Sequence, residues 1–381
     1  MNEKPAMVPP GPDERRDSLG NQAHDSSNAG QRDPSGAGSS ARTGSRPSPL
    51  RVVGIGLALC AVIVLALGIV WSRQPPTFDV AALQATELAA IEGSRPVPGT
   101  AVVAAAIGVG ETLLDKPGGF LFNDITPPGI YLDNMPNWEY GALKELRDSV
   151  RALRNDFSRS QTQSIENDHA KRADVKLAID ASSWMLPSAE DEYRQAMDSL
   201  RLFLRDLSTG RDRSARFYAR ADNLAAYLSV VEKRLGSLAL RLSASVGDHE
   251  LAAALIMNVG DPNAEMEPEI ESMKIDGGGG ATPWYLVDDI FYEARGYTWA
   301  LLHMMRAVSI DFADILASKN ADISIQQIIR DLEGASKTMA SPIVLNGHGY
   351  GFLANHSLVM ASYISRANAA VLDLRILMQQ G

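Results

Sequence analysis

The sequence predicts an all-α protein: a single N-terminal transmembrane helix, then a bundle of long helices with an irregular Pro/Gly-rich loop segment. Three observations predict it. Val52–Trp71, VVGIGLALCAVIVLALGIVW, contains no charged residue. Beyond residue 137, apolar side chains recur at steps of three and four, the spacing of one helix face. Helix-start signals then stand where those patterns begin: Ser188 with Asp191 after Pro187, and Thr282 before Pro283.

Residues 1–50 hold 8 Ser, 7 Pro and 6 Gly and no aromatic residue. Such a segment buries too little apolar surface to offset chain entropy, so it reads as a disordered cytoplasmic tail. Residues 51–72 read as the transmembrane helix, since twenty apolar residues span roughly 30 Å, the thickness of a hydrocarbon core. A cleaved signal peptide would have a shorter apolar stretch behind a short basic start. Arg32, Arg42, Arg46 and Arg51 precede the span, whereas Arg73 alone follows it closely. This bias places the N-terminus in the cytoplasm and residues 73–381 outside it. The lipid bilayer is thus a partner through residues 52–71.

Charge divides along the same line. The whole chain carries −10, and residues 74–381 carry −12 against +2 for residues 1–73. An acidic exported part repels nucleic acid and anionic headgroups, so no nucleic-acid partner is expected. Cys60, the single cysteine, lies inside the apolar run. Disulfides, thiol chemistry and cysteine-ligated zinc are therefore excluded for the exported part.

Residues 73–137 contain eight prolines and many turn signals, yet also Phe120, Phe122, Ile130 and Tyr131. The aromatics argue for an ordered loop segment pinned onto helices. Val102–Val109 inside it fits either a buried strand or a first core helix. Residues 138–246 form a first helical part, with helices expected over Trp138–Ile165, from Ser188 to about Leu207, and over Arg213–Val246. Residues 247–280 form a linker loop ending in four glycines. Residues 281–381 form a second helical part: a helix from Pro283 to about Ala317, then Ile323–Met339 and Asn355–Gln379. A faint echo links Arg151-Ala152-Leu153-x-x-Asp156-Phe157 with Arg306-Ala307-Val308-x-x-Asp311-Phe312.

The most regular pattern is a heptad seam of Phe217, Leu224, Leu228, Val231, Leu235, Leu238 and Leu242. A stripe of this kind needs a cover. The candidates are another helix of the chain, Trp138–Ile165 or Tyr285–Ala317, or the same seam of a second copy in a homo-oligomer.

Chemistry is harder to locate. The histidines show no metal-ligand spacing, and His303 in LLHMM reads as a core residue, so no metal and no cofactor are expected. Paired carboxylates for glycan cleavage would have to come from Glu111, Asp115, Asp124 and Asp133, or from Asp288, Asp289 and Glu293; nothing selects a pair. Asn123, Asp124, Asp133, Asn134, Asn137 and Trp138 form a candidate recognition surface, although Asn and Asp also supply turn geometry and aromatics fill cores.

The stretches LLDKPGGFLFNDITPPGIYLDNMPNWEYG, RALRNDFSRSQ, WMLPSAEDEYR and FYARADNLAAYLSVVEKRLGSLALRLSASVG resemble a proteobacterial family of inner-membrane-anchored proteins with an uncharacterised domain. The resemblance runs over about residues 75–381. It implies a bacterial inner membrane with a periplasmic helical domain, and no activity. Together these readings give a membrane-anchored envelope scaffold or interaction module with an envelope protein partner. The alternatives are an envelope-glycan enzyme or a ligand-sensing domain.

Overall fold

The computed structural model describes residues 49–159, 166–245, 286–339, 341, 343–347 and 352–380. The tail before Pro49, the linker 247–280, the Thr282-Pro283 helix start and Ile165 lie outside the described residues. Within these, every regular element is a helix. The apolar run forms α1 (Pro49–Trp71), long and apolar enough to cross a bilayer and almost wholly exposed.

The Pro/Gly-rich segment departs from the expected loop in its first half, which holds α2 (Val80–Ala89) and α3 (Thr100–Asp115). Val102–Val109 is thus a core helix, buried on all sides. Two glycines let its neighbours approach: a Cβ on Gly108 would fall 2.8 Å from the Phe78 ring, and one on Gly110 2.8 Å from Met197 Cε. α3 has no local side-chain cap. Its Val102 N–H instead donates to Asp311 Oδ2 at 2.7 Å, from the far end of the chain.

Residues 116–133 hold no helix beyond a 3-10 turn at Gly129–Tyr131, and the segment is pinned by a buried carboxylate. Glu139 takes the Leu121 and Phe122 N–H groups at 2.8–2.9 Å and pairs with Lys116. Glu139 belongs to α4 (Asn134–Ala152), which ends in a π turn at Leu153–Phe157 rather than running on as an α-helix. α5 (Asp168–Leu177) and α6 (Ala189–Thr209) follow. The Ser188 hydroxyl caps α6 by accepting from the Asp191 N–H at 3.2 Å, and Gly210 ends it in the left-handed region at φ 67°.

The heptad helix is α7 (Ala221–Ala244), which starts later than Arg213. Residues before it lie along the end of α4, where the Tyr218 N–H donates to the Phe157 carbonyl at 2.7 Å. Phe217 therefore leaves the seam and joins an aromatic cluster with Phe157 and Phe312. Leu224, Leu228, Val231, Leu235 and Leu242 are fully buried, and Leu238 nearly so.

The expected helix to Ala317 breaks at Phe312 into α8 (Val287–Asp311) and α9 (Ala313–Ser318). Then come α10 (Asp322–Ala335) and α11 (His356–Gln379), capped by the Asn355 side chain. α7 packs chiefly along α11, a cover other than the two helices the sequence suggested.

α4 and α8 lie side by side in the same direction. Gly141 and Gly296 meet near one end, and the Phe157 and Phe312 rings are 5.4 Å apart at the other. Both pairs have the same separation along the chain, so the faint echo marks two helices that are reciprocal neighbours. The core runs without a break from α2 to α11, joining both helical parts.

Candidate functional site

Two places concentrate polar side chains away from water. The first lies between α4, α7 and α8. Glu145 and Asp148 face inward from α4 because they share the stripe of Leu146 and Val150 neighbours that buries this helix. Tyr227 donates its hydroxyl to Glu145, and Arg234 Nε donates to Asp148 at 2.8 Å. Beside them Glu293 accepts from both Arg241 Nη atoms at 2.7 and 2.8 Å and from Lys144 at 2.8 Å. Burial alone would raise the Glu293 carboxyl, but Arg241 and Lys144 outweigh it and hold the group at about 2. The space bounded by Lys144, Arg234, Ser237, Arg241, Glu293 and Tyr297 is about 10 Å³, room for one water and no substrate.

Glu145 behaves differently. Burial pushes its carboxyl from the ordinary 4.5 to about 8, and the nearby Asp148 charge adds to the rise. A carboxyl raised in the folded state loses its contribution as pH climbs from the unfolded to the folded value. Stability should therefore fall between about pH 4.5 and 8. Glu145→Gln removes the ionisation and keeps the acceptor for Tyr227. Denaturant unfolding of the full chain in detergent should show that decline shrinking by a few kcal/mol. An unchanged pH slope would show that Glu145 titrates normally.

The expected recognition residues do not form one surface. Asn123 and Trp138 are corrections, since both are buried. Asn123 Nδ2 donates to the Ser183 carbonyl at 2.8 Å and to Glu190 at 2.9 Å, tying the irregular segment to the start of α6. Trp138 packs on Trp299 with centroids 5.1 Å apart. Asp124 accepts from the Thr126 N–H and hydroxyl at 3.0 and 2.9 Å, and Asp133 caps α4. Asn137 bridges the Asp133 carbonyl and Asp289.

The other candidate acids are also engaged: Glu111 with Arg201, and Asp115 with Arg194. Asp289 is pushed to about 6 by burial and by the charges of Asp288, Asp133 and Glu293. His303 accepts from the Phe78 N–H at 3.0 Å and has its other nitrogen 2.7 Å from the Trp299 carbonyl. Burial holds it at about 3, a neutral core histidine.

The second place is a cavity of about 1450 Å³ where the C-terminal half of α1 meets the body. One wall is apolar and belongs to α1: Ala61, Val64, Leu65, Gly68 and Ile69. Opposite stand Pro128, Tyr131 and Leu132 of the irregular segment. A Cβ on Gly68 would fall 3.7 Å from Pro128 Cβ and 3.9 Å from Leu132 Cδ2. The far wall is polar, with Gln74, Asn134, Arg295, Trp299 and Ser336.

Gln74 Nε2, Asn134 Oδ1, Trp299 Nε1 and Ser336 Oγ of these residues are fully buried and lack a hydrogen-bond partner among the described residues. Sequence reasoning passed over Arg295 and Trp299. The available signal was an arginine inside the apolar run of YEARGYTWALLHMM, where a charge is costly without a use.

Among known proteins, no curated sequence and no solved structure matches the chain. One family does, described as an uncharacterised protein conserved in bacteria and designated DUF2333. The match covers residues 46–381, and so takes in α1 as well as the stretches that carry the resemblance. The chain belongs to the DUF2333 family.

Proposed function

We propose that this chain is a single-pass protein of the bacterial inner membrane, with a cytoplasmic N-terminus and residues 73–381 in the periplasm. Its helical domain is a bundle that works as an envelope binding module, without catalysis. The observation that carries the reading is the position of the cavity: a space of about 1450 Å³ with both apolar and polar lining adjoins the apolar helix α1. Four cationic residues, Arg73, Arg295, Arg306 and Lys337, line it against the single carboxylate Glu333, although residues 74–381 together carry −12. Against the glycan-cleaving alternative stands the engagement of its candidate carboxylates in caps, turns and ion pairs. Because the α7 seam is covered within the chain, an oligomer or an envelope protein would dock elsewhere.

Two measurements in intact cells test this. A reporter active only outside the cytoplasm should work when fused after Gly381 and stay silent after Leu50; the opposite pattern overturns the topology. A photo-crosslinking residue at Leu132, on the cavity wall, should capture a second molecule. Capture of nothing overturns the binding reading.

A further inference from the structure

We propose that the cavity holds one anionic lipid of the surrounding bilayer, with its acyl chains along α1 and its headgroup at Arg295 and Trp299. This deepens the binding reading above and rests on it.

Depth is the first argument. The α1 wall runs from Ser72 back to Ala61, eleven residues or roughly 16 Å along a helix axis. That is about half of a hydrocarbon core. Since Gly68 lies in the span and abuts Pro128 and Leu132, this loop stands at the depth of the last turns of α1. The apolar half of the cavity therefore opens where acyl chains already are. A bilayer lipid needs only to move sideways to enter it.

Charge is the second argument. Arg295 on α8 is 7% exposed, yet its guanidinium donates to neutral acceptors throughout. These are Gln74 Oε1 at 2.7 and 3.0 Å, the Ala335 carbonyl at 3.2 Å and the Lys337 carbonyl at 2.9 Å. Among the described residues no carboxylate pairs with it. A buried cation without a counter-charge is costly, and an anion delivered to the same wall offsets that cost. Arg306 beside it is already paired with Glu333 at 2.7 Å, so the uncompensated charge belongs to Arg295, with exposed Arg73 and Lys337 at the rim.

A choline headgroup would bring a second cation toward Arg295, whereas an anionic headgroup supplies the missing counter-charge.

The full chain, purified in mild detergent and stripped of lipid, is titrated by native mass spectrometry with phosphatidylglycerol or phosphatidylcholine. One phosphatidylglycerol should bind per chain, at least tenfold more tightly than phosphatidylcholine. Arg295→Gln removes the charge that lacks a counter-charge and should weaken phosphatidylglycerol several-fold while keeping the wild-type circular dichroism. Leu65→Trp, on exposed α1, should fill the apolar wall and abolish retention without touching the core. Glycerol 3-phosphate at millimolar concentration should not displace the lipid; displacement would assign the site to a soluble phosphate and overturn the lipid.

Equal retention of the two lipids overturns the anionic headgroup assignment. No retained lipid, combined with Leu132 crosslinks to a protein in cells, overturns the lipid and leaves the binding module standing. No lipid and no crosslink overturns both.

Discussion

Gly296→Ala is expected to force α4 and α8 apart. A Cβ there would overlap the Trp138 carbonyl oxygen, and it would lie 2.7 Å from the Trp138 carbonyl carbon and 3.0 Å from the Ala142 nitrogen. Gly141 is placed reciprocally, with 2.8 Å to both the Glu293 carbonyl carbon and the Tyr297 nitrogen. The obstacle in each case is helix backbone, which cannot rotate out of the way as a side chain end can. Alanine would add at most about 1 kcal/mol of helix propensity. Overpacking costs about 1–3 kcal/mol, and an obstacle of helix backbone puts this case at the upper end, so repulsion wins. It would also open the adjoining Glu145 and Glu293 layer. Thermal unfolding of the full chain in detergent should show Tm lowered by about 4 °C, from a net loss of about 2 kcal/mol. Gly54→Ala, whose Cβ would meet nothing within 4 Å, should leave Tm unchanged. Equal Tm values for the two variants would mean that the helices do not cross at these glycines.

Leu235→Asp should abolish cooperative unfolding altogether. Leu235 is fully buried on α7, and truncating such a leucine to alanine already costs about 2–5 kcal/mol. Aspartate adds a carboxylate with no partner in an apolar layer, several kcal/mol more. The sum rivals the whole stability of an ordinary domain, about 5–15 kcal/mol. Circular dichroism should show helix loss, and light scattering should show aggregation. A variant that stays folded and merely passes from dimer to monomer would make the seam an assembly interface, contrary to its cover by α11.

Much of the fold was readable because its signals are local. A charge-free run of twenty residues identifies α1 through transfer free energy alone. Ser188 and Asn355 announce α6 and α11 because a cap acts on amides two or three positions away. The seam on α7 showed that a stripe needed cover, since burial follows the period of one helix.

The cavity was not readable, for the opposite reason. Its polar wall is assembled from Gln74, Asn134, Arg295, Trp299 and Ser336, which no spacing rule connects. The recognition surface proposed from Asn123 to Trp138 failed at its two ends. A polar or aromatic residue in a turn-rich stretch looks the same whether it faces water or, like Asn123 and Trp138, fastens the loop inward.

By itself, then, the sequence determined what depends on one element at a time: the apolar span, its charge asymmetry, the helical class, and the faces that had to be buried. Tertiary structure alone decided which faces meet. It set α11 over the α7 seam, Asp311 on the first turn of α3, and Gly141 against Gly296. It also placed Arg295, with neutral hydrogen-bond acceptors only, beside the apolar helix α1. Those pairings depend on distances between groups far apart in the chain, and only packing of the whole core sets them.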